Sequence, residues 1–590
     1  MLALVLAAKI AAASPVTFNA PPGDSINLKA GVTDSLPSWT TTDRIVLSPY
    51  FYWYDVWSQA HLLNPDHSDA LTTHPASLTG FSYKSVQWHK TQLRDMEDAG
   101  VDVVLPVYWG DPSQLDTIGP SQWSYAGIPP LVAAREALLA EGKSPPRIGL
   151  FYDTTTLERN ARNEHIDLTE PRGHAWFYES IRDFFSLVPP THWALINHSP
   201  IIFTWVSSWA KNYDQTHITK AKRRFAEEFG GHPFYLVKEV SWNLAADDTY
   251  AWGGAFGLRP LSVASIGPGY DHSNVPGRDP FLINREGGAF FERNWIRLLR
   301  SGIDRVMIET WNEYHEGTDI SHSLEYGRQY IDLNRHYTDL FKARFVPPPV
   351  TGPFSDLLSI GTEFSTNTNT EAIQPVDWPD GPSSSTGTEQ TPCRTFDSPP
   401  NTVSYLYFRI HDSFRWTGAQ DLKLQVIAEL STDASFDVQY DGSDTKAPFM
   451  GAYTLTQHSR KTPISARAAA YEFLLPEARF NNAQNGGSDF RLRKLQGNIC
   501  IHAITLSKVR TSDPETNESA YLTIFLTDQK KILVRVHGQS GTRYVVEDSG
   551  DLKNWNGLSS VFIPAGQSSG ELIIPAPQSL QYFRLRTEPQ

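Results

Sequence analysis

The sequence predicts a multidomain chain: a TIM-type α/β barrel of the (β/α)8 kind, then an all-β sandwich, then a small C-terminal β-domain. Three observations predict it. Eight short, near-continuous apolar runs alternate with helix-like segments between residues 44 and 345, as strands buried on both faces require. A stiff proline run, Val346-Pro347-Pro348-Pro349, closes that pattern. Beyond it the chain changes to short strands of alternating polarity separated by turn residues.

The eight strand candidates are, in order, Arg44–Tyr54, Val101–Tyr108, Arg147–Asp153, Pro200–Val206, His232–Lys238, Thr249–Phe256, Pro260–Ile266 and Asp304–Thr310. Gly100 and Gly302 stand where a helix ends before the next strand. After the eighth strand, Tyr326, Tyr330, Leu333, Tyr337, Leu340 and Phe341 step by three or four and form one apolar stripe of a closing helix. An open doubly wound sheet is the alternative, but no Gly-rich phosphate turn follows the first strand, which runs instead into Phe51-Tyr52-Trp53-Tyr54-Asp55.

The expected domains are a secretory leader over 1–15, the barrel over 16–345, a linker rich in Ser, Thr, Gly, Pro and Asn over 346–390, the sandwich over 391–511 and the last β-domain over 518–590, with a polar junction at 512–519. The leader rests on the apolar stretch Leu2–Ala8 followed by small residues to Ser14, although Lys9 interrupts it. A secreted, periplasmic or cell-surface location is therefore expected. The two cysteines, Cys393 and Cys500, sit near the two sequence ends of the sandwich; one disulfide is expected, with two buried thiols as the alternative.

Composition narrows the function. Of 590 residues, 51 are basic and 65 acidic, with no block of five or six like charges, which disfavours a nucleic-acid or anionic-membrane partner. No apolar run is long enough to span a bilayer. Fourteen of the 17 tryptophans precede residue 345, so the barrel is indole-rich, and indole faces suit sugar rings as well as large cores. The cluster Asp66-His67-Ser68-Asp69 has neither EF-hand nor zinc-helix spacing and reads as a solvated loop; no metal and no cofactor are expected. A monomer is expected.

In such a barrel, reactive groups lie on the loops after the strands. The eighth strand runs into Trp311-Asn312-Glu313-Tyr314-His315-Glu316-Gly317-Thr318-Asp319. Two carboxylates three residues apart, crowded by aromatics, can be driven to different proton affinities, as glycosidic cleavage needs. On a solvated helix the same pair would be two surface charges. Other strand ends supply candidate sugar contacts: Tyr52, Trp53, Tyr54 and Asp55 after the first, of which about half must pack inside, Trp109 after the second and Asp153 after the third. Lys238 and Glu239, followed by Trp242, could be contacts or a structural ion pair; Tyr270, Asp271, Trp311 and Asn312 join the list, and His315 is placed to orient a glutamate.

The stretch Trp311–Asp319 resembles the WNEWHEGT signature of glycoside hydrolase family 99, the endo-α-mannosidases and endo-α-mannanases, and is more distantly similar to family 71, the α-1,3-glucanases. Ile266–Asp271 (IGPGYD), Pro49–Asp55 (PYFYWYD) and Arg285-x-x-Gly288 with Phe291 and Trp295 are also similar to that family. The resemblance covers about residues 40–345. It implies an endo-acting, retaining hydrolase of α-linked glycans, with Glu316 as general acid/base and Glu313 deprotonating the substrate's 2-hydroxyl. The sequence departs from the family at Glu309, a further carboxylate in or under the site, and in the long loop Asp55–His74, which contains His61. A poorly characterised secreted relative with the same barrel and a different glycan is the expectation. Alternatives are a barrel that binds glycan without cleaving it, and a lyase on acidic sugars using Lys90, Arg94 and Lys238. In the sandwich, the turn Asn481–Gly487 is either a hydroxyl-reading loop or a plain connection.

Overall fold

A computed structural model describes residues 17–113, 122–278, 281–348, 352–355, 357–364, 371–388, 391–414, 419–444, 446–465, 467–509, 521–526, 531–537, 542–549, 554–564, 569–575 and 582–587. The leader expected over 1–15 and the junction at 512–519 lie outside the described residues.

Eight parallel strands form a nearly closed barrel: β1 (Ile45–Tyr50), β2 (Val103–Tyr108), β3 (Leu150–Tyr152), β4 (Ser199–Thr204), β5 (Tyr235–Glu239), β6 (Asp248–Tyr250), β7 (Ala264–Ile266) and β8 (Arg305–Ile308). Each predicted apolar run overlaps one of them. β1 pairs with both β2 and β8, and the series continues from β2 to β6 and from β8 to β7. Between β6 and β7, the Val263 amide still donates to the Thr249 carbonyl at 3.1 Å. The helices α1 (Val86–Asp98), α2 (Ile128–Ala140), α3 (Pro171–Ser186), α4 (Gln215–Glu228), α5 (Ala289–Ser301) and α6 (Gln329–Lys342) pack outside. Ser85 caps α1 by accepting from the Trp88 amide. Gly100 and Gly302 follow α1 and α5 at φ +80° and +73°, the left-handed conformation that stops a helix cheaply only with glycine.

The sandwich has two antiparallel sheets. One orders the strands Ser383–Thr388, Thr391–Phe396, Ile499–Lys508, Gln420–Leu430, Ala468–Ala478 and Arg460–Pro463, with Ser359–Glu363 also pairing to Ile499–Lys508. The other orders Ile373–Val376, Ser404–Ile410, Phe490–Gln496, Ser435–Tyr440 and Thr454–Thr456. The stretch 346–390, expected as a linker, thus carries three strands of the sandwich. They escape notice because sequences such as SSSTGT carry no apolar alternation and gain their order from ladder bonds to a neighbour. A disulfide joins Cys393 and Cys500.

Residues up to Val509 form one compact unit, so barrel and sandwich share an interface. Trp378 packs its ring 4.2 Å from that of Phe281 and 5.8 Å from that of Phe256, both on barrel loops. Arg297 of α5 pairs with Asp412 at 2.7 Å, and the Arg259 guanidinium donates to the Ala483 carbonyl. The turn Asn481–Gly487 is therefore an interface element: Asn482 and Gln484 are buried, their side-chain amides donating to backbone carbonyls. It does not offer a free hydroxyl-reading surface. A second unit, from Arg510 onward, contains two three-stranded antiparallel sheets around Val534, Val536, Tyr544, Val546, Val561 and Ile563.

If the barrel loops rest on Trp378, removing the indole destabilises the whole first unit. Trp378→Ala is expected to cost about 2–4 kcal/mol, measured as a lower midpoint of a single cooperative denaturation transition.

Candidate active site

The loop after β8 is tied to the barrel before it can present any chemistry. The Asn312 side-chain amide bonds both backbone groups of Phe51, accepting from its N–H at 2.8 Å and donating to its carbonyl at 2.7 Å. The Tyr54 hydroxyl donates to the Asn312 carbonyl and accepts from the Tyr314 amide, each at 3.1 Å. The Trp311 indole N–H donates to Gln92 at 2.8 Å. At the far end of the loop, Arg285 donates to the carbonyls of Gly317 and Asp319 and to the Asp319 carboxylate, while stacking over Tyr326 and Tyr330. Gly317 takes φ +53° against Asp271, whose amide donates to the Glu316 carbonyl at 2.9 Å. These bonds fix both ends of a six-residue turn, so its acidic side chains emerge in one orientation.

Glu313 and Glu316 both line a cleft of about 600 Å³ at the C-terminal end of the strands, together with Trp53, Trp109, Asp153, His315 and residues the sequence reading passed over. Glu313 is buried. Burial raises its pKa above the ordinary carboxylate value, with Glu316 adding to the rise and His315 opposing it. Its Oε1 lies 2.8 Å from His315 Nδ1. His315 Nε2 lies 2.9 Å from the His61 carbonyl, which can only accept, so Nε2 carries a proton and a second proton is shared between Nδ1 and Glu313. Burial opposes a charged His315, but Glu313 and the other acceptors outweigh it and raise the His315 pKa. Glu313 Oε2 is buried with no partner among the described residues, and so is the indole N–H of Trp53. An acceptor and a donor left unpaired in one cleft await a ligand's polar groups. Glu316 is more exposed, and its Oε1 accepts from Arg278 at 2.6 Å.

The remaining expected contacts divide cleanly. Trp109 donates its indole N–H to Asp153 at 2.8 Å, and burial raises the Asp153 pKa against bonds from Thr155 and Trp109. Trp53 stacks on His61 with ring centroids 4.9 Å apart and an 8° interplanar angle. Burial, then the neighbouring His315 charge, lower His61 to about 4, so it presents a neutral ring.

Several expected contacts do not line the cleft, which corrects their assignment. Tyr52 and Tyr54 are wholly buried; Tyr52 donates to the Ser124 carbonyl. Asp55 is buried, and Ser58, Ser82 and Lys84 outweigh burial to hold its pKa low. Trp311 and Asn312 serve as the anchors described above. Lys238 donates to the Trp242 carbonyl, Glu239 accepts from the Ser241 amide, and the Trp242 indole donates to the Trp205 carbonyl; these three hold the turn after β5 and one cleft residue, Trp205. Tyr270 is buried and meets the site from behind, through Arg278, 3.1 Å from its hydroxyl, and through the Glu316 side chain; Asp271 supports the loop. Glu309 lies beneath, accepting the Gly253 and Gly254 amides, and burial pushes it up to about 8.

The sequence reading missed Phe51, Phe151, Trp205, Trp252 and Arg278 as cleft residues. Trp205 and Trp252 lie inside the fourth and sixth apolar runs, so the strand-end rule could have found them; Arg278 has no such signal. Among the described residues, no group of three or more His, Cys, Asp or Glu is placed to hold a metal ion, and no helix is long and apolar enough to cross a membrane. Asn312→Ala is expected to leave both Phe51 backbone groups unpaired and to cost about 2–4 kcal/mol, read by denaturant titration.

No curated protein matches the chain. Among solved structures, the family 99 endo-α-mannosidase of Bacteroides thetaiotaomicron aligns at 16% identity and TM-score 0.38, over 52% of this chain and 99% of that one. A glycoside hydrolase-like protein aligns at 14% identity and TM-score 0.39, over 51% and 96%. A β-glucuronidase of Parabacteroides merdae aligns at 8% identity and TM-score 0.27, over 94% and 63%. A family model described as a domain of unknown function, DUF5010, matches residues 41–347, and the chain belongs to that family.

Proposed function

We propose that the protein is a secreted glycoside hydrolase that cleaves an α-linked polysaccharide within its chain, with Glu313 and Glu316 as the acting pair. The observation that carries this reading is the placement of two carboxylates from one anchored turn in one aromatic cleft, in unlike environments. The disulfide fits an oxidising compartment.

The roles follow from the free lone pairs and from the resemblance to family 99. Glu313 Oε2, buried and unpartnered, accepts a sugar hydroxyl proton well, and its raised pKa makes it a stronger base than an ordinary carboxylate. In the first step Glu316 gives a proton to the glycosidic oxygen and the bond from C1 to that oxygen breaks. Glu313 takes the proton of the 2-hydroxyl, whose oxygen bonds C1 to give a 1,2-anhydro sugar. Water then attacks C1 as the C1–O2 bond breaks, Glu316 accepts the water's proton, and Glu313 returns its proton to O2, so the anomeric configuration is retained. The internal nucleophile needs no association step. His315 balances the charge that Glu313 gains and loses.

A reducing-end release screen over α-mannans, α-glucans and algal polysaccharides tests the reading. Glu313→Gln and Glu316→Gln are each expected to lower kcat by about 10²–10⁴-fold; undiminished release by either variant contradicts the assignment. The pH profile offers a second test. Glu313 must be ionised to act, so the acid limb of kcat/KM is expected above the ordinary glutamate range. His315→Gln removes the cation that opposes protonation, and is expected to move that limb about one pH unit higher.

A further inference from the structure

The two sides of the cleft differ in chemistry. The side built from the loops after β1, β7 and β8 carries the polar groups Glu313, His315, Glu316, Arg278 and Asn64 among apolar neighbours such as Phe51, Trp53 and Leu63. The opposite side, from β2 to β6, contributes Val107, Trp109, Phe151, Asp153, Trp205 and Trp252. Trp205 and Trp252 meet edge to face, with centroids 4.5 Å apart and an interplanar angle of 90°. Phe151 lies 5.9 Å from Trp205 and 5.8 Å from Trp252. The three rings form a single apolar corner.

Among the described residues lining that side, Asp153 is the one side-chain acid, and each of its oxygens already holds a donor: Oδ1 accepts from the Thr155 amide at 3.0 Å and Oδ2 from the Trp109 indole at 2.8 Å. The indoles can donate but not accept. A sugar hydroxyl pressed against these three rings gives up water and finds no acceptor on them for its proton, whereas a methyl group or ring C–H face gains apolar contact.

We propose that the Phe151, Trp205 and Trp252 corner is a subsite for a hydroxyl-poor ring, so that the glycan cleaved at Glu313 and Glu316 carries a 6-deoxy sugar or an aromatic aglycone next to the scissile bond. The inference rests on the hydrolase reading for the word "cleaved", but the subsite itself is a matter of binding. A site that leaves a hydroxyl unpaired discriminates by tenfold or more, while one that merely gains a methyl contact gains about tenfold. Both effects favour the same ligand.

The test is calorimetric titration of the full-length Glu316→Gln protein with matched methyl α-glycosides: D-mannose against 6-deoxy-D-mannose, D-glucose against 6-deoxy-D-glucose, and D-galactose against 6-deoxy-D-galactose. Phenyl α-glycosides of the same three hexoses form a second arm. At least one deoxy or phenyl ligand is expected to bind about tenfold or more tightly than its hydroxylated methyl partner. A preference confined to the deoxy arm identifies a glycan unit, and one confined to the phenyl arm an aglycone. Trp252→Ala is expected to abolish the preference; if that variant loses its cooperative melting transition, Trp252→Leu replaces it. Equal or tighter binding of the hydroxylated partner throughout, or a preference that survives loss of the indole, overturns the proposal. Binding is read without turnover. A deoxy or phenyl preference with no sugar release by the wild type would sink the hydrolase reading alone, and release without any preference would sink the subsite alone.

Discussion

The grip of the Asn312 side chain on the backbone of Phe51 is the constraint on which the site depends. It joins the loop after the eighth strand to the end of the first strand, across the two neighbouring strands of the barrel. An amide can satisfy a peptide N–H and a peptide C=O at once, which neither a carboxylate nor a hydroxyl does with the same geometry. With that end fixed, and with Arg285 holding the carbonyls of Gly317 and Asp319 at the other, Glu313 and Glu316 emerge from a turn that has little freedom left. A buried glutamate is costly, and the cost is tolerable here because His315 shares a proton with it.

Support for the site reaches well beyond the barrel strands. Glu316 is held by Arg278, Arg278 by Tyr270, and Tyr270 packs on Phe256 and Phe281, which in turn rest on Trp378 of the sandwich. The sandwich is thus continuous with the shell of residues behind the cleft. Beneath the sixth-strand turn, Glu309 holds the Gly253 and Gly254 amides and so fixes the segment that carries Trp252 into the cleft. A carboxylate that departs from the family 99 pattern therefore has a place in this chain's own architecture.

The barrel was legible because strands buried on both faces leave near-continuous apolar runs, and all eight runs became strands. That Glu313, Glu316, His315, Trp53, Trp109 and Asp153 share one cleft was legible because barrel clefts open where strands end. The error at the first strand is instructive. Side chains alternate across a strand, so Phe51 and Trp53 reach the cleft while Tyr52 and Tyr54 turn into the packed layer behind it. About half of Tyr52 to Asp55 were expected to pack inside; Tyr52, Tyr54 and also Asp55 do, and Trp53 lines the cleft. Lys238, Glu239 and Trp242 looked like strand-end chemistry and proved to be local bonds of a turn. Arg278 comes from a loop whose path no periodicity encodes, and the sandwich strands before residue 390 are too polar to announce themselves.

The central claim is that the acidic doublet meets the acetal of a saccharide. A crystal structure of the Glu316→Gln protein with a substrate oligosaccharide tests it most directly. The account predicts the glycosidic oxygen within hydrogen-bond reach of the residue 316 amide and a ring hydroxyl on Glu313 Oε2. An oligosaccharide seated elsewhere on the chain, with the cleft beside Glu313 left to solvent, would contradict it.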